Sequence, residues 1–456
     1  MQKKLLLKDY IYLASMLFGL FFGAGNLIFP VFMGQMAGAN VWPATMGFLI
    51  TGVGLPLLGI VAMGISHSDG LYEMGSRVHP KYSVFLTCVL YLTIGPFFAI
   101  PRTATVSFEV GIAPMLSGNT TKISLAIFSF LFFAAVLWFS LRPSNILTWV
   151  GKILNPIFLV SLGILVITAL INPIGSVSQI PVADGFVSNG LFKGFLEGYN
   201  TMDALASLAF GIVIIKVIRN LGVENPNTVA ADTVKSGFFS MSIMALIYIS
   251  LTLIGAQSRG LYDISSNGGE ALSIISKHYF GNVGSIILAV TMIFACMKTA
   301  IGLITSCSET FTELFPNSFG YKYYAIAFCV LSFGIANFGL NNIISFSIPV
   351  LMFLYPLAIT LILLSLFHKF FKGARCIYQS VTIFTILAAI FDFIKALPDP
   401  VKNSLHLDGL ISMASKYLPY YNIGLGWVIP SLIGLIIGII IYHSTFRKTY
   451  NNMVED

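Results

Sequence analysis

The sequence predicts an all-α polytopic membrane protein, because it is too poor in charge for a soluble particle and is apolar along its whole length. Of its 456 residues, 57% are hydrophobic and only 9% are charged, where soluble domains carry about 25% charged residues. So few charges cannot cover the surface of a soluble protein of this size, and lipid must contact most of it. These observations exclude a large extramembrane catalytic domain and a cytosolic enzyme with a small membrane anchor.

Twelve stretches are apolar over the roughly 20 residues that a helix needs to cross a bilayer. Polar, charged or Gly/Pro-rich links separate them. The first stretch has the basic start of a secretory signal, but it continues through Pro30 to about Ala37, so we interpret it as a membrane helix. We therefore predict about twelve transmembrane helices, at 9–37, 42–65, 82–113, 123–141, 145–171, 194–219, 236–257, 283–307, 321–339, 343–367, 376–396 and 423–446.

The distribution of Lys and Arg predicts the orientation of these helices. With the N-terminus inside, the inner links hold sixteen of the 25 basic residues, the outer links hold seven, and two lie within spans. The positive-inside rule then places both termini in the cytoplasm. The net charge of +7 thus reflects topology, and we expect no nucleic acid partner. The five cysteines lack CxxC spacing and no histidine has a metal-ligand spacing, so we expect free thiols and no cofactor.

The first span carries a signal for a break in its helix. A membrane helix can interrupt its backbone hydrogen bonds only where protein or a water-lined cavity satisfies the freed groups. The string FFGAGNLIFP, residues 21–30, places Gly23 and Gly25 beside polar Asn26 and ahead of Pro30. Glycines also pack membrane helices closely without any ligand. This string alone therefore leaves packing and a binding site open.

The sixth span carries a second polar interruption, the string TMDALASLAFG at residues 201–211, which contains Asp203, Ser207 and Gly211. Spans one and six lie five apart and cross in opposite directions, as expected for two inverted five-helix repeats with a site between broken helices. Together, the two interruptions favour a binding site over packing. We predict a first repeat at 1–171 and a second at 172–370, followed by two peripheral helices within 371–456.

Two further spans carry charged residues. Arg102 and Glu109, seven positions apart in span three, share one helical face about 10 Å apart along the axis. Pro96 and Pro101 should kink this helix. Arg102 either acts on a substrate carboxylate or guards an outer gate, or it forms a structural ion pair with Glu109. Lys298 stands near the middle of span eight, where it either faces a cavity or extends its side chain to the inner interface.

Four strings together resemble one known family. GAGNLIFP in span one, IGPFFAIPRTATVSFEVG in span three, TMDALASLAFGIVII in span six and KTAIGLITSCSE after span eight resemble the branched-chain amino acid carriers of bacteria. This is the leucine/isoleucine/valine:cation symporter family, and the resemblance covers nearly the whole chain. The family is similar in architecture to the LeuT-type transporters of the amino acid-polyamine-organocation group. The resemblance implies a core of ten helices in two inverted repeats, with helices one and six broken, and two peripheral helices.

The resemblance also implies two sets of site residues. The substrate carboxylate would meet backbone amides in the unwound first helix, and the sixth helix would line the substrate; these positions are Gly23, Ala24, Gly25, Asn26, Ser207 and Phe210. A sodium site bridging helices one and eight would comprise Gly19, Phe22, Ala295 and Thr299. Lys298 stands at an eighth-helix position that LeuT-type transporters usually fill with a hydroxyl or small residue, and an ammonium suits the same carbonyl oxygens. The coupling ion is therefore left open between sodium and a proton carried by Lys298.

The predicted function is cation-coupled import of leucine, isoleucine and valine across the bacterial cytoplasmic membrane by alternating access. The substrate ammonium would meet carbonyls of the broken sixth helix, and its aliphatic chain would lie against Phe210 and Leu303. A transporter of another small neutral amino acid and a channel-like membrane protein are the alternatives, although a channel would want a filter-like repeat, which is not found.

An enzyme and an obligatory protein partner are not predicted. The spans contain no carboxylate pair and no nucleophile with a neighbouring histidine. Asp392 and Glu309 lie near the ends of their spans, and we expect both at the membrane interface. The expected partners are therefore the amino acid substrate and the lipid bilayer.

Overall fold

The computed structural model describes residues 5–66, 68, 70–116, 120–142, 155–223 and 225–455, and the regular structure in these ranges is helical throughout. Its helices up to residue 171 are α1 (Leu7–Phe21), α2 (Gly25–Ala37), α3 (Val41–Leu49), α4 (Leu55–Ile65), α5 (Leu71–Ser76), α6 (Pro80–Leu92), α7 (Ala99–Gly111), α8 (Thr120–Ser140) and α9 (Asn155–Ile171). The later helices are α10 (Phe186–Glu197), α11 (Asp203–Asn220), α12 (Pro226–Ser258), α13 (Gly268–Leu314), α14 (Tyr321–Ala336), α15 (Leu340–Leu366), α16 (Arg375–Ala396), α17 (Asp399–Ser404), α18 (Asp408–Tyr417) and α19 (Val428–Glu455).

Many of these helices have the length and composition of membrane spans. Seven helical segments of the described chain are long and apolar enough to cross a bilayer, among them Pro80–Gly111, Leu340–Leu366 and Arg375–Ala396. Shorter apolar helices include Tyr321–Ala336 and Val428–Ser444. The predicted class, an all-α multi-pass membrane protein, is confirmed. The number of twelve spans and the division into two repeats and a peripheral pair stay predictions.

The first predicted span is broken, as the glycine-rich string indicates. Helix α1 ends at Phe21 and α2 begins at Gly25, and Phe22 between them has an extended backbone with φ −75° and ψ 101°. The unwound segment is therefore residues 22–24. Gly25 and Asn26, which the resemblance places in the unwound segment, instead form the first turn of α2. Pro30 lies inside this helix.

The break in the sixth span lies at the start of the predicted string, residues 201–211. Helix α10 passes into a 3-10 turn, Gly198–Thr201, and Met202 then adopts a left-handed conformation with φ 62° before α11 begins. Residues 204–211, which make up most of that string, form regular helix. The hydroxyl of Ser207 donates back to the carbonyl of Ala204 at 2.7 Å. Ser207 and Gly211 therefore lie inside a regular helix and do not mark the break.

The third span bends once, not twice. A π-helical turn, Thr93–Phe97, separates α6 from α7, and Gly95 within it is non-helical. Pro96 lies in this turn, but Pro101 lies in the first turn of α7, where the missing N–H has no helical partner to lose. Pro101 therefore produces no second kink, contrary to the prediction.

The eighth span begins within the link predicted at 258–282. The side chain of Asn267 accepts hydrogen bonds from the N–H groups of Gly269 and Glu270 and caps α13, which extends to Leu314. Gly281, with φ 58° and ψ −152°, interrupts this helix. Residues 268–280 thus form a separate helical segment ahead of the apolar span.

Helix packing sets the position of the two breaks relative to one another. Helix α7 packs along α13, α2 packs along α12, and α11 packs along α4, so the broken helices are enclosed by the long ones. Helices α16 and α19 pack mainly on each other and join the rest of the fold through α15. The two breaks therefore lie inside the bundle, and α19 and α16 lie at its side.

Candidate functional site

The two helix breaks border one small central cavity of about 50 Å³. Helices α7 and α13 supply its remaining walls. Most of the predicted site residues line this cavity, namely Gly23, Ala24, Gly25, Asn26, Arg102, Phe210, Thr299 and Leu303. The predicted substrate residue Ser207 does not line it, since its hydroxyl lies against Gly59 of α4, where an added Cβ would come within 2.1 Å of that oxygen.

The side chain of Asn26 holds the break in the first helix and connects it to the sixth. Its Oδ1 accepts a hydrogen bond from the N–H of Gly23 at 2.8 Å. Its Nδ2 donates to the two carboxylate oxygens of Asp203 at 2.9 and 2.8 Å and contacts the hydroxyl of Tyr248. The N–H groups of Gly25 and Asn26 open α2 and have no partner within the helix. These two amides are therefore the ones available to an anionic group.

Asp203 is the site residue that the sequence reasoning missed. It opens α11, is 1% exposed and lines the central cavity. The hydroxyl of Tyr248 donates to its Oδ2 at 2.6 Å, and its own N–H donates to the hydroxyl of Thr201 at 3.4 Å. A buried carboxylate inside a membrane protein is expensive unless it has such partners. The signal was present in the sequence, because Asp203 stands in an otherwise apolar run.

Arg102 is buried and reaches the second break. Its Nη1 donates to the carbonyl of Asn200 at 2.7 Å, and its Nη2 donates to the hydroxyl of Ser347 at 3.2 Å. Its guanidinium carbon lies 4.8 Å from the ring centre of Phe29. Glu109, by contrast, is half-buried beside Gly269 at the start of α13. Within the described residues, Arg102 thus donates hydrogen bonds to Asn200 and Ser347 and not to Glu109. Arg102 and Glu109 therefore do not act together at the central cavity.

The eighth-helix residues of the predicted sodium site lie beside the first break. A Cβ added to Gly23 would come 3.1 Å from Cγ2 of Thr299, so the backbone of Gly23 lies close to the side chain of Thr299. The hydroxyl of Thr299 donates to the carbonyl of Ala295 at 3.2 Å. Gly19 and Phe22 are buried in the same region. Lys298 is half-buried and is not among the residues that line the central cavity.

The two acidic residues predicted at the membrane interface differ in their exposure to solvent. Glu309 is exposed. Asp392 is 1% exposed and therefore buried within the protein, and its place at the interface stays a prediction. The loop before α19 folds over this part of α16 and places Gly426 against the carboxylate. In the described residues, no group of three or more His, Cys, Asp or Glu could hold a metal ion.

Two opposed broken helices around a polar cavity, within an all-helical membrane protein, define the class of LeuT-type transporter folds. Solved structures of Mhp1, a nucleobase-cation-symport-1 family transporter, share this fold: the closed form with bromovinylhydantoin bound superposes with a TM-score of 0.62 at 14% identity, covering 96% of this chain and 93% of that one. An inward-facing form of Mhp1 gives the same score. The chain belongs to the branched-chain amino acid transport protein family, whose model matches residues 6–445.

Curated bacterial proteins of the same family match over nearly their full length. The branched-chain amino acid permease BrnQ of Lactobacillus delbrueckii subsp. lactis is 52% identical, over 94% of this chain and 96% of its own. BrnQ of Bacillus subtilis is 45% identical, over 98% and 99%. A branched-chain amino acid transport system 2 carrier protein of Pseudomonas aeruginosa is 38% identical, over 95% of each chain. The family that the four sequence strings resemble is thus confirmed.

Proposed function

We propose that this chain is a secondary active transporter that imports leucine, isoleucine and valine across the bacterial cytoplasmic membrane, with a coupled cation and with both termini in the cytoplasm. The observation that carries the proposal is the pair of helix breaks that face each other across the central cavity. The names of its relatives supply the substrate class. Moving one helix bundle against the other would expose this cavity to each side in turn.

The substrate carboxylate binds at the first break in this proposal. The N–H groups of Gly25 and Asn26 point from the start of α2, where the helix dipole also favours an anion. The N–H of Gly23 is already bonded to Asn26, so it contributes to holding the break and not to binding the ligand. Arg102 lines the same cavity, and its Nε has no hydrogen-bond partner in the described structure. It therefore has a donor left for the carboxylate.

The substrate ammonium binds at the second break. The carbonyl of Asn200 is occupied by Arg102, so the backbone offers fewer acceptors there than the sequence predicted. Asp203 supplies the missing negative charge, because a carboxylate has about four acceptor positions and can accept an ammonium besides its present donors. Phe210 and Leu303 line the cavity and would contact the aliphatic chain. An apolar wall separates homologous side chains by only about 1–3 kcal/mol per methylene, so the three substrates should compete.

The coupling ion is sodium or a proton. Gly19, Phe22, Ala295 and Thr299 would hold sodium through backbone and hydroxyl oxygens, as oxygen ligands suit a hard cation. Lys298 precedes Thr299 in the chain and would carry the proton in the alternative. No catalytic step is proposed for this chain, and its working partners are the amino acid and the lipid bilayer.

Uptake into vesicles tests both parts of the proposal. Purified protein in proteoliposomes should accumulate radiolabelled leucine saturably under an imposed sodium or proton gradient, but not without a gradient, and isoleucine and valine should inhibit. If Lys298 carries the coupling charge, Lys298→Thr should change which gradient drives uptake. Lys322→Thr, at an exposed lysine of α14, serves as the matched control.

Each negative outcome contradicts a separate statement. Non-saturable flux that follows only the leucine gradient would support a channel-like protein and contradict the transporter. Accumulation of another neutral amino acid but not of leucine would contradict the substrate. Ion dependence that is the same in the wild type and in Lys298→Thr would remove Lys298 from coupling and leave the rest intact.

A further inference from the structure

A second and larger cavity lies away from the central one, and we call it the peripheral cavity. It has a volume of about 500 Å³ and lies between α10, the middle of α15, the end of α16 and the loop 422–424. Asn200 stands between the two cavities, because its carbonyl accepts from Arg102 and its Nδ2 donates to Glu197 at 2.9 Å. Glu197 lines the peripheral cavity and Arg102 lines the central one. The two cavities are therefore separate in this conformation.

The carboxylate of Asp392 is the unusual group of the peripheral cavity. It lines the cavity and is 1% exposed, and among the described residues neither of its oxygens has a hydrogen-bond partner within normal geometry. The backbone of Gly426 lies beside the carboxylate, and Lys395 is the charged residue that acts on it electrostatically. A buried carboxylate without partners is strongly unfavourable in a membrane helix, and acidic residues there usually face a ligand or an ion path. Asp392 thus lacks a donor that a ligand can supply.

The other charged residues of the cavity define the kind of ligand. Lys395 stands one turn beyond Asp392, and its Nζ donates to the carbonyls of Tyr421 and Asn422 at 2.9 Å each. An ammonium has three protons, so one remains for an anion. Glu197 and Lys193 add one further charge of each sign. The cavity therefore holds two acidic and two basic side chains, which suits a zwitterion better than an anion or a cation alone.

The apolar walls and the size of the cavity suit an aliphatic side chain. Leu196, Leu351 and Met352 line it together with the charged groups. Small-molecule sites generally enclose about 300–1,000 Å³ and combine apolar walls with a few placed polar groups. The peripheral cavity meets both conditions.

We propose that the peripheral cavity is a second binding site for a zwitterionic aliphatic amino acid, whose ammonium pairs with Asp392 and whose carboxylate pairs with Lys395. The identity of the amino acid rests on the proposed function, and leucine is the probe. The site gives α16, which has no part in the central cavity, a direct role in binding. Each chain then binds two molecules of leucine, one in each cavity.

The number of leucine molecules bound per chain tests this proposal. Equilibrium dialysis of the purified full-length protein in detergent, at saturating radiolabelled leucine, should give two per chain. Asp392→Asn should reduce the number to one, because an amide gives no counter-charge to the ammonium. Ala396→Trp should do the same by filling the cavity while keeping the carboxylate. Asp399→Asn is the matched control, since this carboxylate is exposed and pairs with Lys402, and it should leave two.

The outcomes separate this inference from the transport proposal. One leucine per chain in the wild type and in Asp392→Asn would overturn the second site and leave transport intact. Two in the wild type and still two in both cavity variants would also overturn it. No binding in any variant, together with no uptake into vesicles, would contradict the transport proposal itself. If Asp392→Asn no longer gives a monodisperse peak in size-exclusion chromatography, it is misfolded, and the number of leucine molecules bound by Ala396→Trp decides whether the second site exists.

Discussion

The breaks in helices one and six look alike in outline, but they are held in different ways. The first has local support, because Asn26, three residues on, accepts a hydrogen bond from the N–H of Gly23. The sixth places Met202, a residue with a Cβ, at φ 62°, a conformation that costs about 1–2 kcal/mol for such a residue. Local bonds such as that from the N–H of Asp203 to Thr201 are joined by support from a distant residue, since Arg102 binds the carbonyl of Asn200. One break is a property of its own segment and the other is imposed by the surrounding fold.

The contact between Asn26 and Asp203 joins these two arrangements. The side-chain amide of Asn26 accepts a hydrogen bond from the first break through its oxygen. Its nitrogen donates two hydrogen bonds to the buried carboxylate of Asp203 at the second break. Neither break is therefore independent of the other. Any movement that separates α2 from α11 must leave Asp203 with fewer donors, unless a substrate ammonium replaces them.

Loss of this shared contact should have the largest effect. Asn26→Leu keeps the approximate volume but removes the bond to the Gly23 N–H and the two bonds to Asp203. Breaking one partner of a buried polar pair costs about 3–5 kcal/mol, so we expect leucine uptake to fall by roughly 100-fold or more. Asn342→Leu, at an exposed asparagine of α15, is the control. Uptake within a few-fold of the wild type in Asn26→Leu would show that the two breaks are not joined through this residue.

Removing the distant support of the sixth break should have an intermediate effect and should act on one break only. Arg102→Gln loses the bond to the Asn200 carbonyl, and a bond to a charged group contributes about 1.5–3 kcal/mol. We expect uptake to fall by about 10- to 100-fold, and hydrogen exchange to rise in peptides covering 198–206 but not in those covering 19–27.

Arg142→Gln is the matched control for this experiment, because its side chain stacks on Trp138 at 4.0 Å, away from both breaks. Equal increases in exchange at the two breaks would contradict the contrast between them. An increase in hydrogen exchange confined to residues 19–27 would show that Arg102 supports the first break and not the sixth.

The same contrast explains which parts of the site the sequence could predict. Gly23, Gly25 and Asn26 form a local signal that marks the first break to within two residues. The break at Met202 has no such signal, because Met202 itself does not favour a left-handed backbone, and most polar residues of the predicted string lie in the regular helix at 204–211. Contacts between residues far apart in the chain decide this position, and a single sequence does not display them.

Burial was hard to predict for a similar reason. Asp392 lies near the end of an apolar stretch, where an acidic residue usually meets water, and only the loop that covers it makes it buried. Asp203 could have been predicted, since a carboxylate in the middle of a span indicates a functional site by itself. The fold class and the family could be predicted fully, because composition and four strings are local properties of the chain.

The smallest expected effect is that of a substitution at Gly23, in the first break. Gly23→Ala adds a Cβ that would lie 3.1 Å from Cγ2 of Thr299, so that α13 must shift by a few tenths of an ångström. Overpacking of this kind costs about 1 kcal/mol, and we expect a few-fold decrease in uptake. Thr299→Ser removes the methyl group and keeps the hydroxyl, so the double variant should recover uptake if the contact is steric. Gly302→Ala, one turn further along α13 with no atom within 4 Å of the new Cβ, should leave uptake unchanged. Failure of Thr299→Ser to restore the double variant would mean that Gly23 is required for its backbone conformation, so that both breaks would depend on more than the space between neighbouring helices.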